Sequence, residues 1–181
     1  MTGTNTGRFA RILVALVLLV GVPSSAAVIQ DDTERAYLPD GAWLATGTFG
    51  GARIPYMDTY ISYGNAHGTK GSVLCTLPFG SLDLPLGPGG AWISVIGTQS
   101  GHGEWMRVSK NVFAFTVWRI LVDSDGHAVG WARFWGTNQV DAPDHFSGTM
   151  NALFYTKELV PLPMPPLTAT TEATRIVVEN Q

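Results

Sequence analysis

Beyond the N-terminal segment, apolar residues do not repeat at helical spacing, whereas β-branched and aromatic residues come in runs separated by Gly, Asn, Asp and Ser. This pattern indicates strands joined by turns. The runs predict strands at 43–49, 57–63, 72–77, 91–97, 104–108, 112–122, 128–140 and 146–156. The succession of strands and short links favours an all-β fold with little helix, an antiparallel up-and-down barrel of about eight strands. A two-sheet sandwich is the alternative.

Two stretches lie outside this pattern. Residues 79–90, FGSLDLPLGPGG, have no period and end in Pro and Gly, which is typical of a long loop over an opening. Residues 160–181 begin with closely spaced prolines, so we expect an extended, poorly packed segment with at most a short edge strand in TRIVVEN. The predicted organisation is an N-terminal segment at 28–39, a barrel at 40–158 and a Pro-rich tail at 159–181.

The first 27 residues predict a cleaved signal peptide, because Arg8 and Arg11 precede a short apolar run and Ser25-x-Ala27 offers a cleavage site. We therefore expect a secreted, periplasmic or cell-envelope protein with no membrane span once mature. Loss of the two arginines makes the net charge more negative than the −3 of the whole chain, and no basic cluster occurs, so nucleic acid is not an expected partner. The single cysteine, Cys75, cannot form an internal disulfide.

The run 112–122, VFAFTVWRILV, is apolar on both faces except at Thr116 and Arg119, which predicts a central strand. If the turn DSDGH places Val122 opposite Ala128, and the turn SKN likewise closes the preceding hairpin, one face gathers these residues: Trp105, Arg107, Phe113, Phe115, Arg119, Trp131, Arg133 and Trp135. We expect this face to line an apolar cavity and bind a ligand. If the small residues of 128–136 point inward instead, the same face is an exterior or a dimer contact, and a shift of one residue would break the grouping.

Four other residues are candidates for acid–base chemistry. In SGHGEWMRVSKN, His102 and Glu104 would share one face of a strand, and in PYMDTYISYG the same holds for Asp58 and Tyr60. Alternatively, His102 has a structural role: its imidazole forms a hydrogen bond to the backbone and fixes a bend between the flanking glycines. The histidines lack metal-ligand spacing and the chain has no phosphate loop or dinucleotide fingerprint, so we expect neither a metal nor a cofactor.

The stretch DGAWLATGTF, with Gly41 and Trp43, resembles the first strand of lipocalin-type calycin barrels. The stretches GTFGG, GHGEWMRVSKNVFAFTVWRILVDSDGHAVG and FSGT resemble a family of small bacterial β-barrel proteins over about residues 40–157. The resemblance implies a calycin-like barrel with an apolar interior and a histidine recurring at the place of His102. It implies no reaction.

Three functions remain open at this point. The first is a binding module whose interior takes a small hydrophobic molecule, with an arginine pairing an acidic group on it. The second is a cofactor-free barrel cyclase or isomerase, resembling allene oxide cyclase. The third is a structural or envelope-associated protein whose aromatic face is an oligomer contact, for example in a homodimer.

Overall fold

The computed structural model describes residues 37–63, 68–76, 82–97 and 100–177. The predicted signal peptide and most of the segment 28–39 lie outside the described residues. By contacts the chain divides into two units, Met1–Glu34 and Arg35–Gln181, and the described residues all belong to the second. Within the described ranges, we find no helix with the length and apolarity needed to cross a membrane.

The described residues form ten strands and one 3₁₀ turn. The strands are β1 (Gly41–Phe49), β2 (Ala52–Ser62), β3 (Lys70–Thr76), β4 (Leu82–Leu84), β5 (Ile93–Gly97), β6 (Ser100–Ser109), β7 (Val112–Val122), β8 (Ala128–Ala142), β9 (His145–Thr156) and β10 (Leu167–Arg175), and the 3₁₀ turn is Pro88–Gly90. Eight of them pair antiparallel in the order β7–β6–β3–β2–β1–β10–β9–β8, and β8 pairs back onto β7. The predicted eight-stranded antiparallel barrel is confirmed.

The eighth wall strand is β10, which the sequence pattern placed outside the barrel. It pairs with β1 from Trp43↔Arg175 to Phe49↔Ala169 and with β9 from Leu167↔Ala152 to Thr174↔His145. The expectation of a poorly packed tail from residue 159 is therefore wrong. Its inward positions are the small residues Ala169, Thr171 and Ala173, which carry little hydrophobic signal although all three are buried.

The hairpin of β4 and β5 continues the wall beyond one end of the barrel. β5 pairs with the end of β7, Ile96↔Val122 and Gly97↔Leu121, and β4 pairs with β5 on the other side. Leu84 and Val95 are buried in the main core. Leu86 lies 3.1 Å from where a Cβ at Gly130 of β8 would stand, so the hairpin covers this end of the barrel, as expected for the described part, 82–90, of the predicted loop. We call this end the mouth.

Aromatic side chains fill the interior, and small residues make room for them. Trp43, Trp105, Phe113, Phe146 and Phe154 are all no more than 2 % exposed. The strands approach one another closely at inward glycines: a Cβ at Gly103 would stand 1.8 Å from the Thr116 carbonyl oxygen, and one at Gly136 would stand 1.9 Å from the Thr149 carbonyl oxygen. The small residues therefore point inward, and the barrel is a packed structure rather than a hollow one.

Candidate functional site

The predicted ligand-binding face is divided by a bulge at the β7–β8 turn. Val122 does pair with Ala128, but Leu121 pairs with Gly130, so one extra residue enters the β8 side. Arg119 consequently faces Ala132 rather than Trp131. Because side chains alternate along a strand, this shift turns every later residue of β8 to the other face. The single eight-residue face is a wrong prediction: Trp131, Arg133 and Trp135 lie on the outer wall.

These outer residues form a cluster around Arg133. Its guanidinium carbon lies 5.0 Å from the centroid of the Trp135 ring and 5.9 Å from that of Trp118. The rings of Trp118 and Tyr155 are 5.1 Å apart, and the Trp131 Nε1 donates to the Lys157 carbonyl at 3.3 Å. Cation–π stacking with the charge near solvent accounts for Arg133 here.

The other five members of the predicted face point inward. The register Trp105↔Phe115 and Arg107↔Phe113 between β6 and β7 is the predicted one. Trp105 and Phe113 meet edge to face with centroids 5.4 Å apart, and Arg107 lies 5.8 Å from the Phe113 centroid, towards the end of the barrel opposite the mouth. Arg119, 1 % exposed, is the most buried cation among the described residues.

Across the barrel, Asp58 receives a directed chain of hydrogen bonds. The Thr171 hydroxyl donates to Asn138 Oδ1 at 3.0 Å, Asn138 Nδ2 donates to the Tyr60 hydroxyl at 3.1 Å, and Tyr60 donates to Asp58 Oδ2 at 3.0 Å. The other carboxylate oxygen, Oδ1, has no conventional donor among the described residues, and the nearby thiol of Cys75 is a weak one. The structure thus brings the predicted pair of Asp58 and Tyr60 into hydrogen-bonding contact through Oδ2, and leaves Oδ1 able to accept a further hydrogen bond.

Burial is the largest cause of the pKa shifts of Asp58, Tyr60 and Cys75. It raises the pKa of Asp58 from 3.8 to about 6, although hydrogen bonds from Cys75 and Tyr60 act in the opposite direction. Burial also raises the pKa of Tyr60 and of Cys75 well above their ordinary values, with the Asp58 charge as the next cause in both. Tyr60 and Cys75 are therefore neutral donors, and Asp58 is the group that can gain or lose a proton near neutral pH.

Arg119 lies beside Gly101, and its charge and the Asp58 charge both act on one group, the thiol of Cys75. Asp58 pairs with Cys75, which pairs with Gly101, and a Cβ at Gly101 would stand 2.6 Å from Cγ of Arg119. The Asp58 charge raises the pKa of Cys75, whereas the Arg119 charge lowers it, so both charges act on this thiol. The sequence analysis did not place Cys75, Asn138 and Thr171 in the site. Once the strand register is known, they can be identified because they alternate with outward-facing residues along their strands.

His102 and Glu104 lie elsewhere. Both side chains point outward, where His102 pairs with Leu74 and Trp118, and Glu104 accepts a hydrogen bond of 3.2 Å from the Tyr63 hydroxyl. They do share one strand face, as predicted, but the wall of the barrel separates them from Asp58 and Tyr60. Of the four residues proposed for acid–base chemistry, Asp58 and Tyr60 are buried in the interior, whereas His102 and Glu104 are exposed.

A cleft of about 790 Å³ lies at the mouth, between the β4–β5 hairpin and the barrel rim. Its apolar lining includes Leu86, Ile93 and Val129, and its polar rim includes Asp123 and Glu158. This volume is typical of sites for small molecules. We call it the mouth cleft.

Asp123, Asp125 and His127 bring potential ligand atoms within 4.8 Å of one another at the rim. Asp123 Oδ1 accepts the backbone N–H groups of Asp125 and His127 at 3.0 and 2.8 Å, and these bonds lower the pKa of Asp123. The cluster is thus explained as a side-chain-capped turn, a usual role for Asp.

No known protein-family model matches the chain, and no curated protein matches it. A solved structure described as "Structure of EF1p2_mFAP2b bound to DFHBI" has a TM-score of 0.48 and 10 % sequence identity, covering 76 % of this chain and 93 % of that chain. The strand pairing itself defines this protein as a closed, eight-stranded antiparallel barrel. Its interior buries one carboxyl group and one guanidinium group among the described residues.

Proposed function

We propose that this chain binds a small amphipathic ligand, with the ligand's acidic group held at Arg119 inside the barrel and its apolar part in the mouth cleft. The observation that carries the proposal is the burial of Asp58 and Arg119, at 3 % and 1 % exposure, in an interior whose other buried residues are mostly apolar. Burying charged groups costs several kcal/mol each, ~3 or more, and a packed barrel gains more from apolar residues. Buried groups with perturbed pKa values are characteristic of functional sites.

The mouth cleft and Arg119 lie towards the same end of β7. Leu86, which lines the mouth cleft, packs against the inward face of Gly130, and Gly130 pairs with Leu121. Arg119 is the next inward residue along β7. A ligand in the mouth cleft would reach the guanidinium when the side chains of Leu86 and of the inward, buried Leu121 move aside. Arginine suits this role because its planar fork binds a carboxylate through two hydrogen bonds.

Replacing Arg119 tests the proposal. Arg119→Leu should keep the barrel folded while weakening a fatty or terpenoid acid by about 1.5 to 3 kcal/mol, the value of a charge-assisted hydrogen bond. The methyl ester should lose much less. Tryptophan quenching measures both, with circular dichroism as the check on folding. Arg133→Leu is the matched control because it removes the same charge from the outer wall. Equal affinity of wild type and Arg119→Leu for the acid would contradict the proposal, as would an equal loss in both variants.

The hydrogen bond from Tyr60 to Asp58 favours a second candidate, a cofactor-free cyclase or isomerase. A buried carboxyl group that titrates near neutral pH can transfer a proton to and from a bound ligand. Chromatography and mass spectrometry of the molecules that co-purify from the native host test this. A pair of isomers whose ratio shifts towards one member in Asp58→Asn would indicate catalysis, and a single unchanged molecule in both proteins would indicate binding alone.

The outward placement of Trp131, Arg133 and Trp135 favours the third candidate, an oligomer contact on the outer wall. Trp131→Ser combined with Trp135→Ser would then convert a homodimer into a monomer in sedimentation velocity. A wild-type monomer at all concentrations would exclude it.

Export and membership of a calycin-like barrel family complete the proposal. The features that support them are the arginines and short apolar run of residues 1–27, and the Gly41-x-Trp43 motif at the start of the first strand. N-terminal sequencing of material from the medium or periplasm should begin near residue 28, and intact Met1 in the membrane fraction would contradict export.

A further inference from the structure

We infer that an acidic ligand enters the Arg119 site together with one proton, which Asp58 takes up, so that Asp58 sets the pH range in which the barrel binds acids. This inference rests on the proposed function of the Arg119 site.

The charge balance of the interior carries the argument. Among the described residues, Asp58 and Arg119 are the two buried charged side chains; they have opposite charges when Asp58 is ionised, and both charges act on the thiol of Cys75. A ligand carboxylate at Arg119 adds a second negative charge to the same low-dielectric volume. One guanidinium cannot balance two carboxylates there, and neighbouring carboxylates in such sites share a proton. The complex of lowest energy therefore has Asp58 neutral.

The geometry of the site identifies Oδ1 of Asp58 as the atom that takes up the proton. Oδ2 of Asp58 already accepts the Tyr60 hydroxyl, whereas Oδ1 has no conventional donor among the described residues. A proton from solvent on Oδ1 turns this oxygen into a donor that can face the bound ligand, and no other bond forms or breaks. The remaining groups around Asp58 cannot take this role, because Tyr56 and Tyr60 on its own strand and Cys75 on β3 are already protonated, with pKa values raised by burial.

The direction of the pH dependence follows. Free Asp58 has a pKa of about 6, raised by burial, and a second nearby carboxylate raises it further. Above that value, binding an acid takes up one proton, so affinity should fall by up to about tenfold per pH unit. At lower pH, Asp58 is already neutral and its contribution to the pH dependence disappears. A neutral ligand adds no charge and should bind with little dependence on pH.

Isothermal titration calorimetry with dodecanoic acid measures the proton directly. Titrations of wild type at about pH 7.5, in phosphate and in Tris, give the number of protons taken up from the dependence of the heat on buffer ionisation enthalpy. We expect roughly one proton per acid and none for methyl dodecanoate. This measurement on the wild type needs no variant.

Asp58→Asn adds a second, independent test. Its amide can still accept the Tyr60 hydroxyl and cannot take up a proton, so acid binding should lose proton uptake and become about tenfold or more tighter than wild type near pH 8. Asp83→Asn, at an exposed position of β4, should behave as wild type. Acid binding to wild type without proton uptake would overturn this inference and leave the proposed function intact. The absence of acid binding in all three proteins would overturn both.

Discussion

Asp58→Asn should change the stability of the empty barrel in a pH-dependent manner. The pKa of Asp58 is about 6 in the folded barrel and 3.8 ordinarily, and this difference of about two units corresponds to ~3 kcal/mol. Because the folded state binds the proton more tightly than the unfolded state, the folded state loses stability as pH rises from about 4 to about 6, and the loss is complete above that range. Asparagine has no charge to bury, so its stability does not fall in this way, although its amide brings two N–H donors to satisfy, at about 1 to 3 kcal/mol each.

Urea denaturation followed by tryptophan fluorescence measures this effect. The free energy of unfolding of Asp58→Asn relative to wild type should rise by ~3 kcal/mol between about pH 4 and pH 7.5. Asp83→Asn is the control, because its exposed carboxyl group should give a difference that is flat with pH. Parallel curves for wild type and Asp58→Asn would refute the assignment of Asp58 as a buried carboxyl group with a raised pKa.

Two further predictions concern the wall itself. Gly103→Ala and Gly136→Ala should each destabilise the barrel by about 1 to 3 kcal/mol or more in the same assay, since the new Cβ would meet a backbone oxygen of the adjacent strand; unchanged midpoints would show that the strands are not so close. Truncation before β10 should expose the edges of β1 and β9 and abolish the cooperative transition, whereas a truncated chain with wild-type stability would exclude β10 from the wall.

The barrel could be predicted from the sequence because its strands follow ordinary rules. Runs such as Val112–Val122 are long and flanked by turn residues, so the all-β class and the antiparallel arrangement were evident. The strand β10 was not predicted as part of the wall, because the inward positions of LTATTEATR are Ala and Thr. These residues are buried by the close approach of β1 and β9 rather than by their own hydrophobicity. The prolines before it suggested a tail, yet Leu162 among them is buried.

The candidate site depended on a feature that a sequence pattern does not specify. The turn after Val122 has the expected Asp and Gly, but the extra residue between Ala128 and Gly130 reverses the faces of β8. Positions on β6 and β7, including Trp105 and Arg119, were unaffected and were placed correctly relative to each other. The grouping of Asp58 with Cys75 and Arg119 required the pairing of β2, β3 and β6 across the fold.

A crystal structure of the barrel with dodecanoic acid tests the central claim most directly. The account predicts the acid's carboxylate within hydrogen-bonding distance of the Arg119 guanidinium, with Leu86 displaced and the hydrocarbon chain in the mouth cleft. Binding of the acid on the outer wall at Trp131 and Trp135, with the Arg119 side chain and Leu86 unchanged, would contradict it.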